Sequence, residues 1–234
     1  MLEDTYFYER RFNILFTDAI QFSKKANEAY EREDYNELES FSRASVFTTT
    51  LIFECAANCC LDTLKLSGKF AEDIDKLPFL SKYEFYYNTL NREKNLDRGC
   101  PEFQNAAELK SIRDLIVHPK VKKAKWKRAD HGNFQADFGQ TKLLKVPYSI
   151  EEWNLTDIQT CLRVVCAFLD YFFRICCEFS PSKVGDIILS SDEYIKDKPI
   201  TTTYGVAEDW MAAQKIWSLR LQFLGLDCPK ALNI

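Results

Sequence analysis

Residues 44–64 read ASVFTTTLIFECAANCCLDTL, and this stretch decides the fold. Neither Gly nor Pro interrupts it, and its apolar residues fall on nearly every side of a helical projection. A helix apolar all round is surrounded by protein. The helix that carries it is predicted over residues 35–66, with other helices packed about it. One residue breaks the pattern: Glu54, a carboxylate in the middle of the apolar run. A buried carboxylate needs a partner. Either a core Arg or Tyr pairs with it structurally, or it supports a functional segment on another helix.

The flanking sequence supplies those helices. Tyr8, Phe12, Leu15, Phe16, Ala19, Phe22 and Ala26 recur at helical spacing, which predicts a long helix over residues 5–32 capped by Asp4 or Thr5. Shorter helices are predicted over residues 69–75 and 78–91. A polar loop with Gly99 and Pro101 comes next, then a helix over about 102–118, ended by Pro119 because the residue before a proline disfavours the α region. Ala124 and Trp126 alternate with lysines, and Gly132 and Gly139 punctuate the residues beyond them. This predicts a small β-hairpin inserted over about 120–150, with Leu143 to Tyr148 as the returning strand. Asn154 and Asp157 open a buried helix to about 178. Pro181 to Gly205 reads as an irregular connector. Val206 to Leu224 reads as a last amphipathic helix, closed by Gly225. The expected fold is mainly α: an antiparallel helical bundle over residues 1–180, with a C-terminal extension over 181–234.

At 234 residues, 46% hydrophobic and 14% aromatic, the chain is long enough to bury a core without staples. Nine cysteines include the adjacent pairs Cys59-Cys60 and Cys176-Cys177, and none has zinc-type spacing. They read as reduced, buried thiols, and their number points to the cytoplasm. The start, Met1-Leu2-Glu3-Asp4, lacks the apolar region of a signal peptide. The apolar run at 155–177 carries Asp157, Arg163, Asp170 and Arg174, so no membrane segment is expected. Net charge is −4, so any nucleic-acid surface must be local.

The candidate chemistry lies at the end of the 102–118 helix, in Arg113-Asp114-Leu115-Ile116-Val117-His118. The chain has two histidines, and one closes this segment. Histidine can give or take a proton near neutral pH. At about 100° per residue, Leu109, Ile112, Leu115 and Ile116 form the core stripe and His118 falls on the opposite side. Arg113 lies between the stripe and the polar face, and Asp114 sits one turn before His118. The other histidine, in Asp130-His131-Gly132-Asn133, reads as a turn residue.

Ser111-Ile112-Arg113-Asp114-Leu115-Ile116-Val117-His118-Pro119 resembles the signature of the HEPN superfamily: an Arg, often followed by a polar residue, then His after four to six positions, late in a helix that comes after two long antiparallel helices. The resemblance covers roughly residues 5–178. It implies a metal-independent endoribonuclease of the toxin or phage-defence type. His118 would be general base or acid, Arg113 would stabilise charge on the transition state, and Asp114 would orient the imidazole or hold Arg113. It also implies a homodimer whose two motifs face each other, and a possible antitoxin or regulatory partner. Other members of the superfamily are binding or dimerisation modules without catalysis, and nucleotide binding without cleavage is a third option. No cofactor is implied.

Directly after the motif come Lys120, Lys122, Lys123, Lys125, Trp126, Lys127 and Arg128, six cations among nine residues of an acidic chain. Phosphates would find counter-charges here and a base could stack on Trp126. The alternative is a solvated face, with Ala124 and Trp126 as the hairpin's buried side. Other enzyme classes are excluded by missing motifs: no phosphate-binding glycine loop, no dinucleotide fingerprint and no Gly-x-Ser-x-Gly elbow.

Overall fold

A computed structural model describes residues 5–90, 95–121, 123–128, 134–195 and 198–226. The fold is mostly helical. β1 (Thr5–Tyr8) precedes α1 (Phe12–Glu31) and α2 (Tyr35–Asp62). The turn between the two helices is closed by Glu33 in the left-handed region and by Asp34, whose side chain accepts the Glu37 N–H. So short a link makes the helices an antiparallel pair. Ser23 and Ser45, placed symmetrically about it, share a 2.8 Å hydroxyl bond inside the interface.

α3 (Gly68–Asp75) and α4 (Phe79–Thr89) lead to α5 (Pro101–Val117), which carries the motif. Pro101 occupies the first turn of α5, where its missing N–H costs nothing. The predicted stripe holds: Leu109 and Ile112 are fully buried, and Leu115 and Ile116 pack against the core. β2 (Lys125–Arg128) and β3 (Phe134–Asp137) form the inserted hairpin. α6 (Leu155–Asp170) opens on an Asn154–Asp157 capping box and runs into a π-helical turn over Tyr171–Cys176. Phe168 of α6 is the hub of the core. Its ring meets Phe53 of α2 at 5.2 Å, Tyr83 of α4 at 4.9 Å and Phe103 of α5 at 5.1 Å.

Four sequence expectations need correction. Residues 5–8 are a strand, not the first turn of α1. The 181–205 connector is ordered as α7 (Pro181–Ile188), β4 (Ser190–Ile195) and β5 (Lys198–Thr203), and β1 pairs with β4 in a three-stranded antiparallel sheet ordered β1-β4-β5. The returning hairpin strand lies at 134–137, whereas residues 142–144 turn. The last helix, α8 (Glu208–Trp217), stops at Ser218 in the left-handed region, and a short 3-10 turn lies beyond it over Gln222–Leu224, ended by Gly225. As expected, α6 is a buried helix. By length and hydropathy α2 is the described helix nearest to a bilayer span, and the bundle buries two-thirds of its most apolar window.

The extension packs on the bundle. Trp210 of α8 is fully buried, its ring 4.7 Å from Phe16, and its indole N–H donates to Thr17 Oγ1 at 3.1 Å. Phe223 stacks on Phe173 of the π-turn at 6.2 Å. Arg10 ties the ends together, donating to the Ser190 carbonyl at 2.9 Å and to Asp62 Oδ2 at 2.8 Å. Trp210→Ala and Phe168→Ala are each expected to lower stability by about 3–5 kcal/mol. In urea unfolding followed by circular dichroism, both should shift one shared transition, and two separable transitions would contradict a common core.

Candidate active site

α5 brings its motif to the rim of the bundle and α2 anchors it there. Arg113 Nη2 donates to Glu54 Oε2 at 2.6 Å, and Arg113 Nη1 donates to Asp114 Oδ1 at 3.2 Å. Glu54 thus has the arginine partner expected of it, partly buried, and that arginine lies in the 113–118 segment. The Arg113 side chain is one-fifth exposed. Its Nε–H is buried without a hydrogen-bond partner among the described residues.

Two lysines complete an alternating chain of charge. Lys110 binds the other oxygen of Asp114. Burial works to raise the Asp114 pKa, but Lys110 and then Arg113 outweigh it and hold the carboxyl below the usual range. Lys82 of α4 is only 1% exposed; it lies 4.0 Å from Glu54 Oε1 and donates to Asn58 Oδ1 at 2.8 Å and Asp75 Oδ1 at 3.2 Å. The order Lys82, Glu54, Arg113, Asp114, Lys110 alternates in sign, so the motif arginine sits in a locally neutral frame. Sequence reading missed Lys82. Its signal was position: it falls on the core stripe of α4 beside Phe79, Tyr83 and Tyr86, where a cation must find carboxylates.

His118 is the C-cap of α5. Its backbone N–H donates to the Asp114 carbonyl at 3.1 Å, and the residue is exposed. Placement on the polar side of the helix is therefore as expected. Four residues lie between it and Arg113, five steps or about 7.5 Å of rise along the helix. Asp114 is engaged by Lys110 and Arg113, and no described bond joins it to the imidazole.

Of the cationic segment, Lys120, Lys123, Lys125, Lys127 and Arg128 are exposed, and Trp126 is 75% exposed. The expectation of Trp126 as a buried hairpin face is corrected: β2 is exposed on every residue. Lys122 and His131 lie outside the described residues. A loop behind the hairpin is pinned to α5 by Glu108, whose carboxylate accepts the N–H groups of Leu143 and Leu144 at 2.9 Å. Two grooves, of about 360 and 460 Å³, flank α5 nearer its start, and neither is lined by Arg113 or His118. The eight described cysteines are free, Cys55, Cys100 and Cys176 being half-buried and the others buried. Among the described residues no three His, Cys, Asp or Glu side chains converge.

No family model matches the chain, and neither a characterised protein nor a solved structure matches it.

Glu54→Gln is expected to lower stability by about 1–3 kcal/mol, because Arg113 loses its charged partner in a partly buried place. A double-mutant cycle with Arg113→Gln in urea should return a coupling near 1 kcal/mol, and a coupling of zero would show the contact to be energetically idle. Glu108 makes a pH prediction. Burial pushes its carboxyl up, but the amides of Leu144 and Leu143 and the Thr141 hydroxyl prevail and lower it. A depressed pKa stabilises the fold fully above the ordinary Glu value near about 4.3, and that share is lost as pH falls through the lower folded value. Amide chemical shifts of Leu143 and Leu144 should titrate in that acid range in the wild type and not in Glu108→Gln.

Proposed function

We propose that this chain is a metal-independent endoribonuclease acting as a homodimer. The observation that carries the reading is one placement. An exposed histidine ends the helix that holds an anchored arginine, and five exposed cations begin immediately after it. RNA brings its own nucleophile, the 2′-hydroxyl. The His118 imidazole takes the proton of that hydroxyl, the 2′-oxygen attacks phosphorus, and the bond to the 5′-oxygen breaks. The leaving oxygen receives a proton from His118 of the second copy. The products are a 2′,3′-cyclic phosphate and a 5′-hydroxyl. Arg113 stabilises charge on the phosphorus oxygens. Lys110 already holds one oxygen of Asp114, so Arg113 Nη1 can leave its 3.2 Å bond for phosphate without stranding that carboxylate. The setting that goes with this chemistry is a cytoplasmic toxin or defence system, held in check by a cognate partner.

One observation favours a second reading, a non-catalytic interaction module. Both outer nitrogens of Arg113 are bonded to carboxylates, which is how a purely structural arginine is held.

The test is RNA-end chemistry. Wild type incubated with a broad RNA panel in a chelator should yield cyclic-phosphate and 5′-hydroxyl ends. His118→Ala should cut about 10²- to 10⁴-fold more slowly. If wild type and His118→Ala leave every RNA equally intact, the module reading stands instead. A protein that sediments as a monomer at high concentration and still cleaves RNA would refute the shared cleft.

A further inference from the structure

The β2–β3 hairpin has two faces, and its register sorts the side chains between them. Trp126 pairs with Ala136 and Arg128 with Phe134, so these four residues share one face. Lys125 and Lys127 belong to the other face. Trp126 is 75% exposed and Phe134 is 68% exposed. They stand diagonally across the ribbon, about 7–8 Å apart at the backbone, with Arg128 directly opposite Phe134.

Among the tryptophans such exposure is confined to Trp126. The other three tryptophans, Trp153, Trp210 and Trp217, are each buried. A two-stranded ribbon is marginal in water by itself, and large aromatics on it are ordinarily covered. The clustering of unpaired cations marks the ribbon as well. Arg10, Lys24, Arg43, Lys82, Lys110 and Arg174 all hold carboxylates. Lys120, Lys123, Lys125, Lys127 and Arg128 form no ion pair with a described residue. The described carboxylate on the ribbon, Asp137, accepts the Gly139 N–H at 2.8 Å.

We propose that the Trp126–Phe134 face of the hairpin is a stacking platform for unpaired bases of single-stranded RNA, with Arg128 of that face on its phosphates and Lys125 and Lys127 of the reverse face meeting the chain where it passes the ribbon's edge. The inference rests on the reading of this chain as an RNA-acting protein, and adds a binding site separate from the reacting groups. Two flat rings on one face of a β-ribbon receive two successive bases, and stacking of this kind tolerates any base. Aromatics among cations also suit an anionic membrane. The distribution favours a strand of nucleic acid: the cations follow one another along the segment from Lys120 to Arg128 and occupy both faces of the ribbon, which suits an elongated polyanion rather than one plane of headgroups.

The full-length His118→Ala protein separates binding from cleavage, and Trp126 is its one exposed indole. Titration with a 12-nucleotide single-stranded RNA should quench tryptophan emission. The RNA duplex of the same length and inorganic polyphosphate should bind with little quenching. By fluorescence anisotropy of labelled RNA, Trp126→Ala and Phe134→Ala added to that background should each raise Kd about tenfold or more. Trp126→Phe should recover most of the affinity, which a hairpin that had merely misfolded would not allow. Unchanged affinity in both alanine variants, or equal quenching by polyphosphate, would overturn the platform. Quenching by phosphatidylserine vesicles without any by RNA would replace it with a membrane site. Tight, Trp126-dependent binding by a wild type that leaves RNA intact would sink the nuclease reading and leave the platform standing.

Discussion

Glu54 has to be neutralised, and that requirement arranges the site. It sits on α2 next to Phe53, Ala56 and Ala57, with its side chain 32% exposed, and a carboxylate partly withdrawn from water calls for a partner. The Arg113 guanidinium answers it at 2.6 Å, with Lys82 behind at 4.0 Å. The bond therefore does more than join two side chains. It docks the last turns of α5 against α2, brings the helix end to the bundle's rim, and so leaves His118 facing outward. The same bond sets the tension within the proposed chemistry, since an arginine that must hold the fold has less charge to offer a phosphate. Lys110 relieves part of that tension by sharing Asp114.

How much of this was legible in the sequence depends on how local each signal is. α2 and α5 were readable because apolar periodicity over many turns is a strong local cue, and Asn154 with Asp157 marked the start of α6 as a reciprocal cap does. Thr5 to Tyr8 were absorbed into the first helix because their partner, β4, lies far along the chain. Four β-branched or aromatic residues carry little information until that partner is known. The residues of β4 and β5 were hidden behind Pro181, Pro199 and Gly205, which read as punctuation. At the site, Glu54, Arg113 and His118 stood out by being polar where the pattern was apolar, or rare in the chain. Lys82, Lys110 and Glu108 did not, because their roles exist only through the partners that packing brings to them.

Electrostatically the molecule is divided. Most cations of the bundle are spent on internal or surface ion pairs, each of small individual worth, and the chain as a whole is negative. Along the segment directly after His118 five described cations without an ion pair follow one another closely. In the proposed reading, a polyanion would be repelled by the body and drawn to the ribbon, which would orient its approach before any contact forms. The Glu108 carboxylate pins the loop that follows the ribbon in sequence to the motif's own helix.

The pairing of β1 with β4 has a consequence for biosynthesis. Arg10 reaches a carbonyl 180 positions further on, so the first strand has no edge to join until nearly the whole chain has been made. Helices α1 and α2 can zip up as they leave the ribosome, since their contacts are close in sequence. Closure of the sheet and burial of Trp210 against Phe16 must wait for the final stretch to emerge. A truncated translation product would thus hold an open N-terminal strand and an uncovered aromatic pocket, features by which quality-control proteases can tell it from the finished molecule.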